Sequence, residues 1–246
     1  MKALEFKLKG ETAFLKIPEV NTYRYLTYSS IHKVAIQGIL GAIVGLKGYG
    51  NFQQGKYPEF YEKLQNIKVS IKIENPMDIK KKFQSFNNTV GYASNEQGNN
   101  LIITEQWLEK PSWRIRLLVE SIPEELPIVD YLLNKKAVYI PYLGKNDHFA
   151  TIEEVNMIEM EEIEEVPDNI IIDGLFTTDV FKVYSPGSFK KIYKYSEYLP
   201  IALESEFNHY EKEDLSQTDG KLKLKESKQI SKGTLFKKDN HYYYFI

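Results

Sequence analysis

Apolar and charged positions alternate through Ala3-Leu-Glu-Phe-Lys-Leu8, the two-residue period of a strand with one buried face. Thr12 to Ile17 continues or pairs with it. The same period returns in Ile67-Lys-Val-Ser-Ile-Lys-Ile73 and in Trp113-Arg-Ile-Arg-Leu-Leu-Val119, where Arg114 and Arg116 share the polar face. Between the first two strands the pattern changes. Thr27 to Gly48 reads as a helix with a polar, basic first turn and small apolar residues from Gly38 onward. Ser29 or Ser30 is the expected N-cap and Gly48 the left-handed stop. At 100° per residue Val34, Ala35, Gly38, Gly41, Ala42 and Gly45 share one side, where a sheet backbone can approach closely. The C-terminal part is therefore expected to be buried all round. The tip with Tyr28, His32, Lys33 and Gln37 is expected to be accessible and suited to a phosphate. The alternative is that the glycines serve tight packing alone.

Strand, helix, strand in this order predicts the opening of a ferredoxin-like or RRM-like domain. From Phe83 to Lys110 the chain turns amide-rich, with Asn87, Asn88, Asn95, Asn99 and Asn100 beside Gly91 and Gly98, before Leu101-Ile-Ile-Thr resumes a strand. This predicts a protruding hairpin or a disordered loop. Glu124 to Lys136 reads as a short helix. The remainder is predominantly β, with strands expected around Asn169 to Tyr184, at Leu199-Pro-Ile-Ala-Leu, at Lys221-Leu-Lys-Leu-Lys, and in the closing Thr234 to Ile246.

Composition narrows the chemistry. With no cysteine among 246 residues, disulfides and thiolate metal sites are excluded, and His32, His148, His209 and His241 lack metal-ligand spacing. No metal, cofactor or membrane segment is expected, and the location expected by default is cytoplasmic. No phosphate-cradling P-loop or nucleophile elbow is present. The net charge of −2 is unevenly spread. Residues 1–50 carry seven bases against three acids, 151–168 carry eight acids and no Lys or Arg, and 219–241 carry seven bases against three acids. Two basic segments around an acidic one suit a polyanion-binding face opposite a protein-facing or solvated one. Arginine occurs only at Arg24, Arg114 and Arg116, and its planar fork suits phosphate or carboxylate. Tyr28, His32 and Lys33 are close enough along the chain to converge. Such a set can cleave RNA without metal or bind a phosphate backbone.

The order of strand Ala3 to Leu8, Thr22-Tyr-Arg-Tyr, Thr27-Tyr28 and then Lys33-Val-Ala-Ile-Gln-Gly-Ile-Leu-Gly-Ala-Ile-Val-Gly-Leu46 resembles the Cas-five family of CRISPR-associated proteins, nearest its type I-B-like branch in the RAMP superfamily. Trp113-Arg-Ile-Arg, Tyr142-Leu-Gly-Lys and Tyr198-Leu-Pro match further along, in the right order. The resemblance implies an α+β chain: an RRM-like (ferredoxin-like) palm over 1–140, an inserted β-hairpin thumb at about 84–104, and a β-rich C-terminal part over 141–246. It further implies a non-catalytic Cascade subunit that binds the 5′ handle of crRNA and caps the filament of Cas-seven backbone subunits. The large Cascade subunit would dock nearby, and the crRNA-processing endonuclease is a further candidate partner. On this reading Arg24, Tyr28, His32, Lys33 and Gln37 contact RNA, Arg24 and Lys33 through phosphates and Tyr28 by stacking. Arg114 and Arg116 come second, with an acid across the sheet as their alternative partner. Two other functions fit the residues: a metal-independent endoribonuclease using Tyr28, His32 and Lys33, and an architectural adapter without RNA contact.

Overall fold

The first alternating segment forms strand β1, Lys2–Lys9, followed by the short β2, Thr12–Ala13. The computed structural model describes residues 1–19, 23–50, 53–91, 95, 100–184, 192–226 and 228–246. Thr22 of the aromatic run and the expected hairpin tip at 92–94 and 96–99 lie outside them.

Helix α1 spans Lys33–Val44, and both of its ends differ from expectation. His32, not a serine, is the N-cap: its extended backbone breaks the helix and its Nδ1 accepts the Ala35 N–H at 3.2 Å. Gly45 at φ +85°, three residues before Gly48, is the left-handed C-cap, and the Leu46 amide returns to the Gly41 carbonyl at 2.8 Å. A short helix that the sequence did not announce follows, α2 at Glu59–Leu64, opened by Pro58. Then come β3 (Val69–Ile73), β4 (Lys81–Asn87), β5 (Ile102–Glu109), β6 (Ser112–Leu118), α3 (Ile128–Leu133) and β7 (Thr151–Glu159).

The central sheet has the order β3-β6-β1-β7, with every neighbouring pair antiparallel. Alternation in β1 decides its orientation. Leu4, Phe6 and Leu8 enter the main core with Ile36, Leu40 and Ile43 of α1. On the opposite face Ala3 joins Leu118, Ile158, Phe236 and Phe245. A one-residue slip would exchange these faces, and each large apolar side chain returned to water forfeits roughly 1.5–3 kcal/mol. Thus α1 meets the sheet through its isoleucines and leucine. Its small-residue side, expected against the sheet, instead faces α2 and an open groove.

β4 and β5 form the expected antiparallel hairpin, paired from Lys81↔Leu108 to Asn87↔Ile102, and β2 joins its other edge. The remainder is β-rich: β8 (Glu161–Glu162), β9 (Phe176–Thr177), β10 (Phe181–Tyr184), β11 (Lys194–Leu203), β12 (Tyr210–Thr218), β13 (Lys221–Leu224), β14 (Leu235–Lys238) and β15 (His241–Tyr244). Leu199 of β11 and Leu215 of β12 belong to the same core as β1 and α1.

This second half also closes the β3 edge of the sheet. Val69 and Ile246 exchange backbone hydrogen bonds of 3.1 and 3.0 Å, and the Leu175 N–H donates to the Ile71 carbonyl at 2.6 Å. The Gln217 amide then imitates a strand residue, accepting from the Ile73 N–H at 2.8 Å and donating to the Ile73 carbonyl at 2.9 Å. Gly174, at φ +149°, permits the approach, since a Cβ there would lie 2.7 Å from the Ile71 oxygen.

Candidate nucleic-acid interface

Residues 23–28 run beside the hairpin as a partial extra strand. The Tyr25 N–H donates to the Thr104 carbonyl at 2.9 Å, and the Gln106 N–H donates to the Tyr25 carbonyl at 2.8 Å. The Lys81 ammonium fastens the same segment by donating to the Thr27 carbonyl at 3.0 Å. This pairing sets Arg24 over the Phe83 ring at 5.0 Å and Lys16 over the Tyr25 ring at 4.3 Å. Tyr23 beside them is 91% exposed and Phe83 50% exposed. Among the described residues neither Arg24 nor Lys16 has a carboxylate partner. Arg24 and Tyr25 are neighbours in an extended segment and point to opposite sides of it, Arg24 to the Phe83 face of the hairpin and Tyr25, with Lys16, to the Glu105 face. Each cation–ring pair is chemistry that can take a phosphate and a base. On the Glu105 face the other cations are paired: Lys145 lies over Phe86 at 4.9 Å and pairs with Glu105 at 3.3 Å, and Lys82 pairs with Glu109 at 3.4 Å.

The other sequence-derived candidates lie elsewhere, and the tip of α1 is not accessible as expected. Tyr28 is buried in the main core with its ring against His32 at 5.4 Å, which leaves no face for a base. Gln37 is also buried, and its amide donates to the Leu64 carbonyl at 2.8 Å, tying α1 to the end of α2. His32 is buried between the rings of Tyr28 and Tyr210, and burial pushes its pKa down to about 3, so it is neutral at physiological pH. Lys33, at the first helical position, is half-buried. Burial, with the charge of Lys68 adding, lowers its pKa to about 8. Polar residues at a helix start read as exposed in sequence; here they serve capping and packing.

Arg114 and Arg116 take the alternative that the sequence left open. Arg114 reaches Glu154 at 2.7 Å and Glu74 at 3.5 Å. Arg116 is buried, with Glu5 at 2.6 Å, the Asp173 carboxylate at 3.0 Å and the Tyr243 ring at 4.2 Å. Lys72 also reaches Asp173, at 2.7 Å. Both guanidinium groups are thus committed to carboxylates of the sheet and of the second half. The β7 edge carries its acids outward, with Glu153 between Lys7 and Lys9 at 3.4 and 2.8 Å. Sequence reasoning passed over Lys16. The only signal was its place seven residues before Tyr23-Arg-Tyr, with no acidic neighbour in the chain on either side.

Among the described residues no group of three His, Asp or Glu could hold a metal ion, and no helix is long and apolar enough to cross a membrane. No family model matches the chain, and no curated protein matches it in sequence. Solved structures do match. A chain of a CRISPR RNA-guided surveillance complex superposes with a TM-score of 0.54 at 13% identity, over 90% of this chain and 91% of that one. A CRISPR protein from Archaeoglobus fulgidus superposes with a TM-score of 0.50 at 11% identity, over 99% and 98%. The strand-rich, antiparallel fold of this chain is therefore one found in CRISPR-associated proteins.

Proposed function

We propose that this chain is a non-catalytic, RNA-binding subunit of a CRISPR effector complex, of the Cas-five kind, that holds the 5′ handle of crRNA. On this reading the β3-β6-β1-β7 sheet with α1 and α3 is the RRM-like palm, and the β4–β5 hairpin is the thumb. The β7 edge, whose Glu153 and Glu154 already pair with Lys7, Lys9 and Arg114, is left to protein partners such as the backbone filament and the large subunit. The observation that carries the reading is the two cation–ring pairs on either side of residues 24–25, Arg24 over Phe83 and Lys16 over Tyr25, whose cations lack carboxylate partners among the described residues. The match of fold to a chain of an RNA-guided complex supports it.

The RNA contacts are assigned to Arg24 and Lys16, with Lys33 as a further phosphate ligand. Tyr28, Gln37, Arg114 and Arg116 act in the scaffold. The depressed pKa of Lys33 is the one feature favouring the endoribonuclease alternative. Incubating the full chain with labelled repeat RNA in EDTA separates the readings: binding without cutting is expected, and a defined cut that disappears in Lys33→Ala would replace this function with processing.

For the double variant Arg24→Ala/Lys16→Ala, the expected result is a several-fold weaker RNA affinity at low salt. The slope of log affinity against log salt should shrink by about 0.7 for each phosphate that the variant no longer neutralises. Fluorescence anisotropy between 50 and 200 mM salt reads both. Unchanged affinity and slope would favour the adapter reading.

A further inference from the structure

Lys16 belongs to two surfaces. Besides facing Tyr25, it stands at the mouth of a groove of about 860 Å³ that runs along the small-residue side of α1. Ala35, Gly38 and Ala42 form its floor. Its walls carry Tyr49, Tyr57, Tyr139, Tyr142 and Tyr210. Tyr49, Tyr139 and Tyr142 are exposed there, although burying such rings is favourable. Lys47 is a second cation on the rim.

Two details point to an occupant. Gly41 is a glycine because a Cβ there would lie 2.6 Å from the Phe60 Cβ, and Gly45 because its φ is +85°. Gly38 has neither reason: a Cβ there would meet only Phe60 Cε2, at an ordinary 3.9 Å. A glycine in a helix interior sacrifices stability relative to alanine, and no contact among the described residues accounts for this one. The second detail is His32, which lines the groove while almost wholly buried. Its Nδ1 is occupied by the Ala35 N–H, so its proton sits on Nε2. Among the described residues no nitrogen or oxygen accepts a hydrogen bond from that Nε2. The wall therefore presents a neutral, unused donor.

We infer that this groove takes an unpaired nucleotide of the RNA strand that Lys16 contacts, an inference that rests on the RNA-binding function proposed above. The base lies over Gly38 and stacks on the exposed tyrosines, a carbonyl oxygen or ring nitrogen accepts from His32 Nε2, and Lys16 neutralises the phosphate where the strand turns in. The cationic rim of Lys16 and Lys47, continuous with the Lys16–Tyr25 pair, favours RNA over an apolar protein segment. Stacking tolerates any base, whereas the His32 donor favours a base presenting an acceptor.

Gly38→Leu tests this, because Gly38 lines the groove, a Cβ there makes only an ordinary 3.9 Å contact with Phe60, and leucine raises helix propensity. Anisotropy of a 5′-labelled single-stranded octaribonucleotide on the full chain is expected to weaken roughly tenfold or more, the loss of a stacked base, with a thermal midpoint no lower than that of the parent. Tyr139→Ala/Tyr142→Ala, which removes exposed rings, should weaken binding in the same direction and keeps the test valid if the leucine disturbs α1. If the parent chain binds and neither variant differs from it, the groove is not an RNA site and belongs to a protein partner, while the function proposed above stands. If the parent chain fails to bind this RNA, both fall. Competition by uridine monophosphate as strong as by the octamer would replace the strand with a free nucleotide.

Discussion

Arg116→Met is expected to destabilise the fold by about 3–5 kcal/mol, the usual consequence of removing one partner from a buried ion pair. Arg116 is 4% exposed and donates from Nε to Glu5 at 2.6 Å and from Nη2 to Asp173 at 3.0 Å, while Nη1 reaches the Asp173 carbonyl at 3.2 Å. Without the guanidinium, Glu5 has no cationic partner among the described residues and Asp173 keeps only Lys72. The network spans β1, β6 and β3 on one side and the 170–175 segment on the other, so the variant should also loosen the second half from the sheet. Urea unfolding of parent and variant measures the effect. Replacing Glu5 and Asp173 by their amides in the same chain is expected to recover much of the loss, because the penalty is an unpaired buried charge. A loss below about 1 kcal/mol would mean that the carboxylates remain hydrated. While it stays folded, Arg116→Met should bind RNA as the parent does.

His32→Asn is expected to flatten the pH dependence of stability between pH 6.5 and 4. The folded pKa of His32 is pushed down to about 3 by burial, from an ordinary 6.5. Below pH 6.5 the unfolded chain therefore takes up a proton that the folded chain refuses. The stability held above pH 6.5 is lost as pH falls toward 3, at up to about 1.36 kcal/mol per pH unit, or roughly 3 kcal/mol by pH 4. Burial also lowers the pKa of His148, which adds a loss of the same sign. Asp173 contributes at lower pH: although burial raises its pKa, Lys72 and Arg116 hold it below the ordinary value, so its stabilisation is lost only below about pH 4. Asparagine keeps an N-cap acceptor but cannot titrate. Urea midpoints at pH 7.0 and 4.5 should therefore differ less in His32→Asn than in the parent. Equal differences would mean that water reaches the His32 ring.

The strands were legible where one face is apolar and the other charged, as in β1, β3 and β6, because that period has no other stable outcome. The hairpin could be read from strands flanking an amide-rich turn. The ends of α1 could not, since His32 is an unusual cap and the choice among Gly41, Gly45 and Gly48 depends on where Val138 and Tyr139 donate to the carbonyls of Ile43 and Ala42. α2 has six residues and carries little periodicity. Polarity misled at Tyr28, His32 and Gln37, all buried: Gln37 donates to the Leu64 carbonyl, His32 caps its own helix, and the Tyr28 and His32 rings pack on each other. The partners of Arg114 and Arg116 were set by a strand register that brings Glu5 opposite Arg116. The tyrosine groove gathers its rings from four separate stretches between residues 49 and 210, so no local pattern could announce it.

The closure of the β3 edge has a consequence in time. The partners of Ile71 and Ile73 are Leu175 and Gln217, the latter 144 positions away, and Val69 waits for Ile246. At ordinary synthesis rates of ~5–20 residues per second, the open edge of a nascent sheet stays bare for on the order of ten seconds or more. During that interval Val69, Ile71 and Ile73 offer an unpaired apolar template to any neighbouring chain. Yield in the cell is therefore expected to depend on chaperones that shield this strand, and refolding from denaturant to be slow and sensitive to concentration.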